Sequence, residues 1–139
     1  MLGWKMNILF VCRHNRFRSK VAEAVFNKLN KKSRYKAKSA GLIKGVPVAV
    51  IVKKIAKENG FSIKGNTNGL SEKLMRWADI FVIVADDVPV EIFERYKKFD
   101  KKVIVWKIKD VSQNDEKSIR RIFLEIKNKI EVFRKEVVK

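Results

Sequence analysis

Short apolar runs alternate along the chain with segments of helical periodicity, and this alternation constrains the fold more than any other feature. Strands are predicted at residues 6–11, 34–39, 79–84 and 102–106. Helices are predicted to begin at Ser19 as N-cap, to cover residues 48–58, 71–75 and 89–99, and to run from residue 114 or 115 to about 133. The alternation implies parallel strands joined by right-handed crossovers. We therefore predict an α/β fold, a three-layer α/β/α sandwich with a four-stranded parallel sheet.

Length and cysteine usage limit the remaining possibilities. A chain of 139 residues is close to the commonest domain size, so residues 1–139 are predicted to form a single domain. Cys12 is the only cysteine and His14 the only histidine, which excludes an internal disulfide and a zinc site of Cys and His ligands. No metal and no cofactor are expected. The apolar runs are too short to cross a bilayer and residues 1–11 do not read as a signal peptide, which predicts a cytoplasmic protein.

The single cysteine directly follows the first predicted strand. Residues 12–19 read C-R-H-N-R-F-R-S, which fits the pattern C-x5-R-S immediately before a helix. Loop amides that lead into a helix form a cradle for an anion, and the guanidinium of Arg18 adds a bidentate grip on phosphate. The same field favours the thiolate of Cys12, which would face a bound phosphate as a nucleophile. The alternative is a buried cysteine at a strand end with no chemistry.

Several segments carry a family resemblance. Residues 10–26, FVCRHNRFRSKVAEAVF, resemble the signature of low-molecular-weight protein tyrosine phosphatases, V-C-x-x-N-x-C-R-S followed by M-A-E-A. Residues 39–41, S-A-G, are similar to the family motif after the second strand, and residues 106–110, W-K-I-K-D, resemble its W-x-x-x-D-P. The likeness covers nearly the whole chain, and the family is related to thioredoxin-type arsenate reductases. It implies a phosphate-binding loop after the first strand.

The resemblance also implies roles for individual residues. Cys12 would form a phosphocysteine intermediate, and Arg18 would clamp the phosphate. Asp110 would protonate the leaving oxygen and then act as base toward water. Asn15 would brace the loop, and the Ser19 hydroxyl would stabilise the thiolate. The substrate-binding residues are expected in the same loop: Arg13, His14, Asn15, Arg16, Phe17 and Ser19.

The sequence offers more than one candidate for the acid. Val111 stands where the family usually has proline, so the turn that presents Asp110 is less fixed. Asp115 is the nearest rival, and Asp86 and Asp87 at the end of the third strand are weaker ones. The tyrosine that many eukaryotic members place beside the acid is absent, which weakens the expectation of aryl specificity. The usual family His and Arg near residues 65–68 are also missing.

The main prediction is a phosphomonoester hydrolase, a protein tyrosine phosphatase that uses a phosphocysteine. Phe17 replaces the second cysteine of the signature, so oxidised Cys12 has no neighbouring thiol to protect it. An arsenate reductase therefore remains an alternative only with an external thiol. The other enzyme-like alternative is a cysteine phosphocarrier of the sugar phosphotransferase IIB type. Such carriers need neither Arg18 nor Asp110, and these two residues favour hydrolysis.

Positive charge is the last feature that bears on partners. The formal net charge is +18, and residues 1–38 alone contribute +10. We expect a phosphorylated protein or a small aryl phosphate as substrate, with inorganic phosphate as product, and a preference for acidic surroundings of the phosphate. A basic nucleic-acid-binding module is the third alternative, but no such motif is present and Trp4, Trp77 and Trp106 fit core positions. Neither nucleic acid nor a membrane is an expected partner.

Overall fold

A computed structural model describes residues 6–137. The strands are β1 (Met6–Cys12), β2 (Tyr35–Gly41), β3 (Ile80–Val84) and β4 (Lys102–Trp106). The helices are α1 (Arg18–Leu29), α2 (Val50–Glu58), α3 (Glu72–Trp77), α4 (Glu91–Glu94) and α5 (Glu116–Val137), with a 3₁₀ turn at Lys97–Phe99. Within residues 6–137, no helix combines the length and the apolar character that a membrane span requires.

The four strands form one parallel sheet in the order β2-β1-β3-β4. Cys12 at the end of β1 lies opposite Gly41 at the end of β2, and Val84 of β3 lies opposite Trp106 of β4. Because parallel strands end at the same edge of a sheet, the loops that follow β1, β3 and β4 open together there. The predicted parallel sheet is confirmed.

Helices cover both faces of the sheet, because its central strands are apolar on both sides. Successive residues of β1 belong to different cores: Ile8 and Phe10 pack with α1, α2 and α5, whereas Leu9 and Val11 pack with α3 and α4. All five residues of β3 are buried. On its apolar face α5 buries six side chains at helical spacing: Ile119, Ile122, Phe123, Ile126, Ile130 and Phe133. The predicted three-layer α/β/α sandwich is confirmed.

Local details differ from the sequence prediction in two places. Phe17, not Ser19, is the N-cap of α1, and no side chain caps that end. Ser19 is instead buried in the first turn, where its hydroxyl contacts Cys12 rather than the helix backbone. The single helix predicted over residues 89–99 is divided into the four-residue α4 and the 3₁₀ turn, which Asp100 follows as C-cap with φ 62°.

Two of the three tryptophans lie in the part of the chain that the structure describes. Trp106 is half-buried and packs against Phe10 and Phe133, with ring centroids 6.3 and 5.7 Å away. Trp77 is half-buried against the α3 side of the sheet. Both therefore contribute to the cores, as predicted, while Trp4 lies outside the described residues.

Candidate active site

The loop between β1 and α1, residues 12–19, is called the catalytic loop below. Cys12 ends β1 with only 2% of its surface exposed. The Cys12 sulfur lies 2.9 Å from the Ser19 hydroxyl, and the Ser19 backbone N–H donates to the same sulfur at 3.4 Å. Hydrogen bonds from hydroxyl and amide donors stabilise a sulfur anion, and so does the positive end of α1. The loop therefore presents its thiol in surroundings suited to a nucleophile.

Asn15 holds the catalytic loop in shape. The residue is fully buried and has φ 59°, a left-handed conformation that asparagine tolerates better than most residues. Its side-chain amide donates to the hydroxyls of Ser19 at 2.8 Å and Ser39 at 2.9 Å. Its carbonyl oxygen accepts from the backbone N–H of Asn68 at 2.8 Å. One buried side chain thus ties the loop to β2 and to the segment before α3.

Glu23 extends this hydrogen-bond chain. The Ser39 hydroxyl donates to its carboxylate at 2.6 Å. The chain therefore runs from Glu23 through Ser39, Asn15 and Ser19 to the sulfur of Cys12. The sequence interpretation did not identify Glu23, Ser39 or Asn68 as supports of the loop. The only sequence signal for Ser39 was its place in the S-A-G motif.

Gly41 allows β2 to approach the catalytic loop. A Cβ atom at this position would lie 2.6 Å from the backbone carbonyl carbon of His14 and 2.7 Å from the backbone nitrogen of Asn15. These distances are shorter than any real Cβ contact, and the obstacles are backbone atoms that cannot swing aside. Only glycine fits between the end of β2 and the loop.

Arg18 is buried among carboxylates from two other loops. Its side chain is 2% exposed, and Nη1 donates to the carbonyl oxygen of Ile108 at 2.9 Å. Its Nη1 lies 3.0 Å from Oδ1 of Asp87 and 3.9 Å from Oδ1 of Asp86. Its Nη2 lies 3.8 Å from Oδ2 of Asp110. One guanidinium therefore links the catalytic loop to the ends of β3 and β4.

The catalytic pocket has a volume of about 310 Å³. Its lining comes from the catalytic loop and from the loop after β4, and comprises Cys12, His14, Arg16, Phe17, Arg18, Asp110, Val111, Ser112 and Gln113. The Asp110 side chain is 48% exposed, so its carboxyl group is within reach of water. The side-chain oxygen of Gln113 is buried and has no hydrogen-bond partner among the described residues. The structure thus brings Cys12, Arg18 and Asp110 to one pocket.

The other residues predicted to bind substrate are placed differently from one another. His14, Arg16 and Phe17 line the pocket, and Arg16 also donates to the backbone carbonyls of residues 46 and 47 at 3.2–3.3 Å. Asn15 and Ser19 belong to the loop, but their side chains are buried and do not line the pocket. They stabilise the loop through hydrogen bonds. Arg13 is exposed and does not line the pocket.

Asp115, the rival acid, has a structural task. Its carboxylate accepts from the backbone N–H of Ser118 at 3.1 Å and from the Ser118 hydroxyl at 2.6 Å, directly before the first turn of α5. These hydrogen bonds hold the pKa of Asp115 below its ordinary value. The residue does not line the catalytic pocket.

Comparison with known proteins agrees with this geometry. Residues 7–139 match the family model described as low molecular weight phosphotyrosine protein phosphatase. No curated protein matches the chain. Among solved structures, an arsenate reductase from Archaeoglobus fulgidus is 31% identical, with a TM-score of 0.72, 91% of this chain covered and 97% of that one.

Two further structures share the fold. The YwlE arginine phosphatase from Geobacillus stearothermophilus is 25% identical with a TM-score of 0.80, and the match covers 95% of this chain and 92% of that one. A low-molecular-weight protein tyrosine phosphatase from T. tengcongensis is 23% identical with a TM-score of 0.83, and the match covers 96% of this chain and 100% of that one. Since the family model spans nearly the whole sequence, the chain belongs to the low-molecular-weight phosphotyrosine protein phosphatase family and is a phosphatase.

Proposed function

We propose that this protein hydrolyses aryl phosphates, phosphotyrosine in proteins above all, through a phosphocysteine on Cys12. The observation that supports this most directly is the single pocket lined by Cys12, Arg18 and Asp110. A nucleophile, a cationic phosphate clamp and a proton donor are the three groups that the reaction needs. The pocket supplies one of each.

In the first step the Cys12 sulfur attacks phosphorus. A sulfur–phosphorus bond forms while the bond from phosphorus to the leaving oxygen breaks. Asp110 in its protonated form gives its proton to that oxygen, so that the product leaves as a neutral phenol. Amides of the catalytic loop and the Arg18 guanidinium hold the remaining phosphate oxygens.

In the second step water attacks the phosphocysteine. Asp110, now a carboxylate, accepts the proton that water loses, and the sulfur–phosphorus bond breaks. Inorganic phosphate leaves, and both Cys12 and Asp110 return to their starting states. The half-exposed position of the Asp110 side chain supports this role, because the incoming water must reach it from solvent.

Arg18 must exchange partners when phosphate binds. In the structure its guanidinium is engaged by the Ile108 carbonyl and by the carboxylate of Asp87. Phosphate oxygens replace part of these contacts, while the hydrogen bond from Nη1 to the Ile108 carbonyl keeps the guanidinium oriented. We infer that Asp87 positions Arg18 for the incoming anion, since it is the closest of the three carboxylates.

Cations in the two loops that form the pocket favour substrates with acidic surroundings. Arg16 lines the pocket, and the exposed Arg13, Lys107 and Lys109 lie in the two loops that form it. Fields of one sign around a cleft attract oppositely charged partners. We propose that acidic residues beside the phosphotyrosine raise kcat/KM at low salt, and that high salt removes this advantage.

The decisive experiment compares variants on two aryl phosphates. Wild-type protein is expected to hydrolyse p-nitrophenyl phosphate, Cys12→Ser to be inactive, and Arg18→Ala to lose roughly 10²–10³ in kcat. Asp110→Asn is expected to lose about 10²–10⁴ on phenyl phosphate, and much less on p-nitrophenyl phosphate, whose leaving oxygen needs no proton. Asp115→Asn is the matched control, and it should retain wild-type turnover on both substrates.

Two outcomes would contradict the proposal. If wild-type protein with an intact thiol hydrolyses neither substrate, the proposed reaction is wrong. If Asp115→Asn shows the leaving-group dependence and Asp110→Asn does not, the acid is misassigned. A stable phosphoprotein that forms in one burst without turnover would instead indicate a phosphocarrier.

Arsenate reduction is a second candidate, supported by the 31% identity to the Archaeoglobus fulgidus arsenate reductase. Cys12 is the only thiol in the chain, so the two electrons for reduction must come from an external dithiol or from two external thiols. Arsenite production measured with glutathione and with a dithiol reductant tests this directly. Arsenate turnover that exceeds hydrolysis of every phosphate ester tested, and of a phosphoarginine peptide with its N–P bond, would favour the reductase.

A further inference from the structure

Lys20 is a buried cation that the proposed reaction does not use. It follows Ser19 in the first turn of α1, and only 5% of its surface is exposed. Among the residues that the structure describes, it has no hydrogen bond and no ion pair within 4 Å. Its Nζ is not among the buried side-chain atoms that lack a partner, and Lys20 lines a cleft, so its ammonium donors are accessible from that cleft rather than sealed in the core.

A cleft of about 360 Å³ lies beside Lys20, between α1 and the segment 62–68. The cleft is separate from the catalytic pocket and shares no lining residue with it. Lys64 and Asn66 line it from the far side, and Ser62 adds a hydroxyl group. These three side chains are exposed and make no hydrogen bond within residues 6–137, so their donors are available to a ligand.

The charges around the cleft favour an anion. Lys20 and Lys64 face one carboxylate, that of Glu23, which already accepts a hydrogen bond from Ser39. Burial lowers the pKa of Lys20; Glu23 opposes this change and the neighbouring charge of Lys64 adds to it. An oxyanion between the two ammonium groups would relieve their repulsion and replace the water that Lys20 has lost.

We propose that this cleft, formed around Lys20 and Lys64, is a second oxyanion site that binds a phosphate or carboxylate group of a small molecule. The ammonium groups of the two lysines supply charge-assisted hydrogen bonds, and the Asn66 amide and Ser62 hydroxyl supply neutral ones. The volume exceeds that of inorganic phosphate, so the site has room for a larger molecule that carries such a group.

The site adjoins the support of the catalytic loop. Asn68 lines the same cleft, and its backbone N–H holds the side-chain oxygen of Asn15. Glu23 lines it too, at the far end of the hydrogen-bond chain from Cys12. An occupant therefore contacts residues that shape the loop without entering the catalytic pocket.

The test is a titration of ¹⁵N-labelled wild-type protein with inorganic phosphate, followed by amide NMR shifts. The catalytic loop and the segment 62–68 give separate signals, so the two sites are measured in one experiment. Saturable shifts of the Lys20, Lys64 and Asn66 amides at millimolar phosphate are expected, with a Kd different from that of the catalytic loop. Sulfate should displace phosphate from the cleft, because both are tetrahedral oxyanions.

Lys20→Met and Lys64→Met identify the site. Each should weaken phosphate binding at the cleft by about tenfold or more, equal to 1.4 kcal/mol, while the shifts of the catalytic loop persist. Those persistent shifts also show that the variant is folded, and Lys64 is exposed, so its replacement does not disturb the core. Lys31→Met, an exposed lysine just after α1, is the control and should change neither site.

Three results would overturn the proposal. The first is cleft shifts that rise linearly without saturation. The second is a phosphate Kd from the cleft amides that equals the Kd from the catalytic-loop amides in every variant. The third is cleft binding that survives both Lys20→Met and Lys64→Met. None of these depends on phosphatase activity, so failure here is distinguishable from failure of the proposed reaction.

Discussion

Replacement of Asn15 by alanine tests whether this side chain holds the catalytic loop. The change removes three buried hydrogen bonds, two donated to Ser19 and Ser39 and one accepted from Asn68. At a net value of about 1 kcal/mol each, these contribute roughly 3 kcal/mol to stability. The left-handed backbone at φ 59° costs alanine about 1 kcal/mol more. The expected loss for Asn15→Ala is about 4 kcal/mol.

Glycine at the same position separates the two contributions. It tolerates the left-handed conformation, so Asn15→Gly should lose only the hydrogen bonds, about 3 kcal/mol. The free energy of unfolding of Asn15→Gly is therefore expected to exceed that of Asn15→Ala by about 1 kcal/mol, although at most positions alanine is the more stabilising of the two residues. Urea unfolding followed by circular dichroism gives both values, with an unchanged m-value as the sign of two-state behaviour.

Asn128→Ala is the control, because Asn128 is exposed on α5 and makes no hydrogen bond among the described residues. Its free energy of unfolding should change by less than about 0.5 kcal/mol. A loss below about 1.5 kcal/mol for Asn15→Ala, or an alanine variant more stable than the glycine one, would refute the assigned role. Loss of phosphate binding with full stability would point to a direct ligand contact instead.

Three further substitutions probe other parts of the site. Gly41→Ala places a Cβ against the backbone of the catalytic loop and should abolish hydrolysis of p-nitrophenyl phosphate, whereas full activity would contradict the close approach. Asp87→Asn should lower kcat/KM roughly 10-fold, because Arg18 loses its nearest carboxylate. Asp86→Asn should lower kcat/KM less, because the Asp86 carboxylate lies 3.9 Å from Arg18. The reverse order would identify Asp86 as the positioning residue. Asp115→Ala should lower Tm at neutral pH. Folding lowers the pKa of this carboxyl, so the difference in Tm should be present above its ordinary pKa of 3.8 and should shrink as pH falls through the lower pKa of the folded state. A difference in Tm that persists at acid pH would show that the carboxylate is not the stabilising group.

Local sequence signals were sufficient for the fold. Strand and helix periods depend on neighbouring residues, and an alternating order of such elements leaves few topologies other than a parallel sheet. The element bounds moved by one or two residues in most places. The exception is the helix predicted over residues 89–99. In this stretch α4 buries Phe93 and the 3₁₀ turn buries no residue, and the segment forms these two short elements instead of one helix.

The catalytic loop was predictable for the same reason. Cys12 and Arg18 are six residues apart in one strand–loop–helix unit, so their spacing alone places them on one loop. Asp110 is a different case, because it lies about 90 residues further along the chain. It comes to the pocket only because β4 belongs to the same parallel sheet as β1, so that the loops after both strands lie at one edge. The family resemblance proposed it, and the structure places it beside Arg18 while Asp115 caps α5.

By itself, the sequence determined the parallel sheet, the loop with its single thiol and the basic character of the chain. Only the tertiary structure decided which residues support that loop and that Lys20 lies largely buried beside a cleft. Asn68, Ser39 and Glu23 meet Asn15 because separate strands and segments converge at one sheet edge, which no local pattern encodes. Likewise, Lys20 reads as one of many surface lysines, and its burial follows only from the packing of the segment 62–68 against α1.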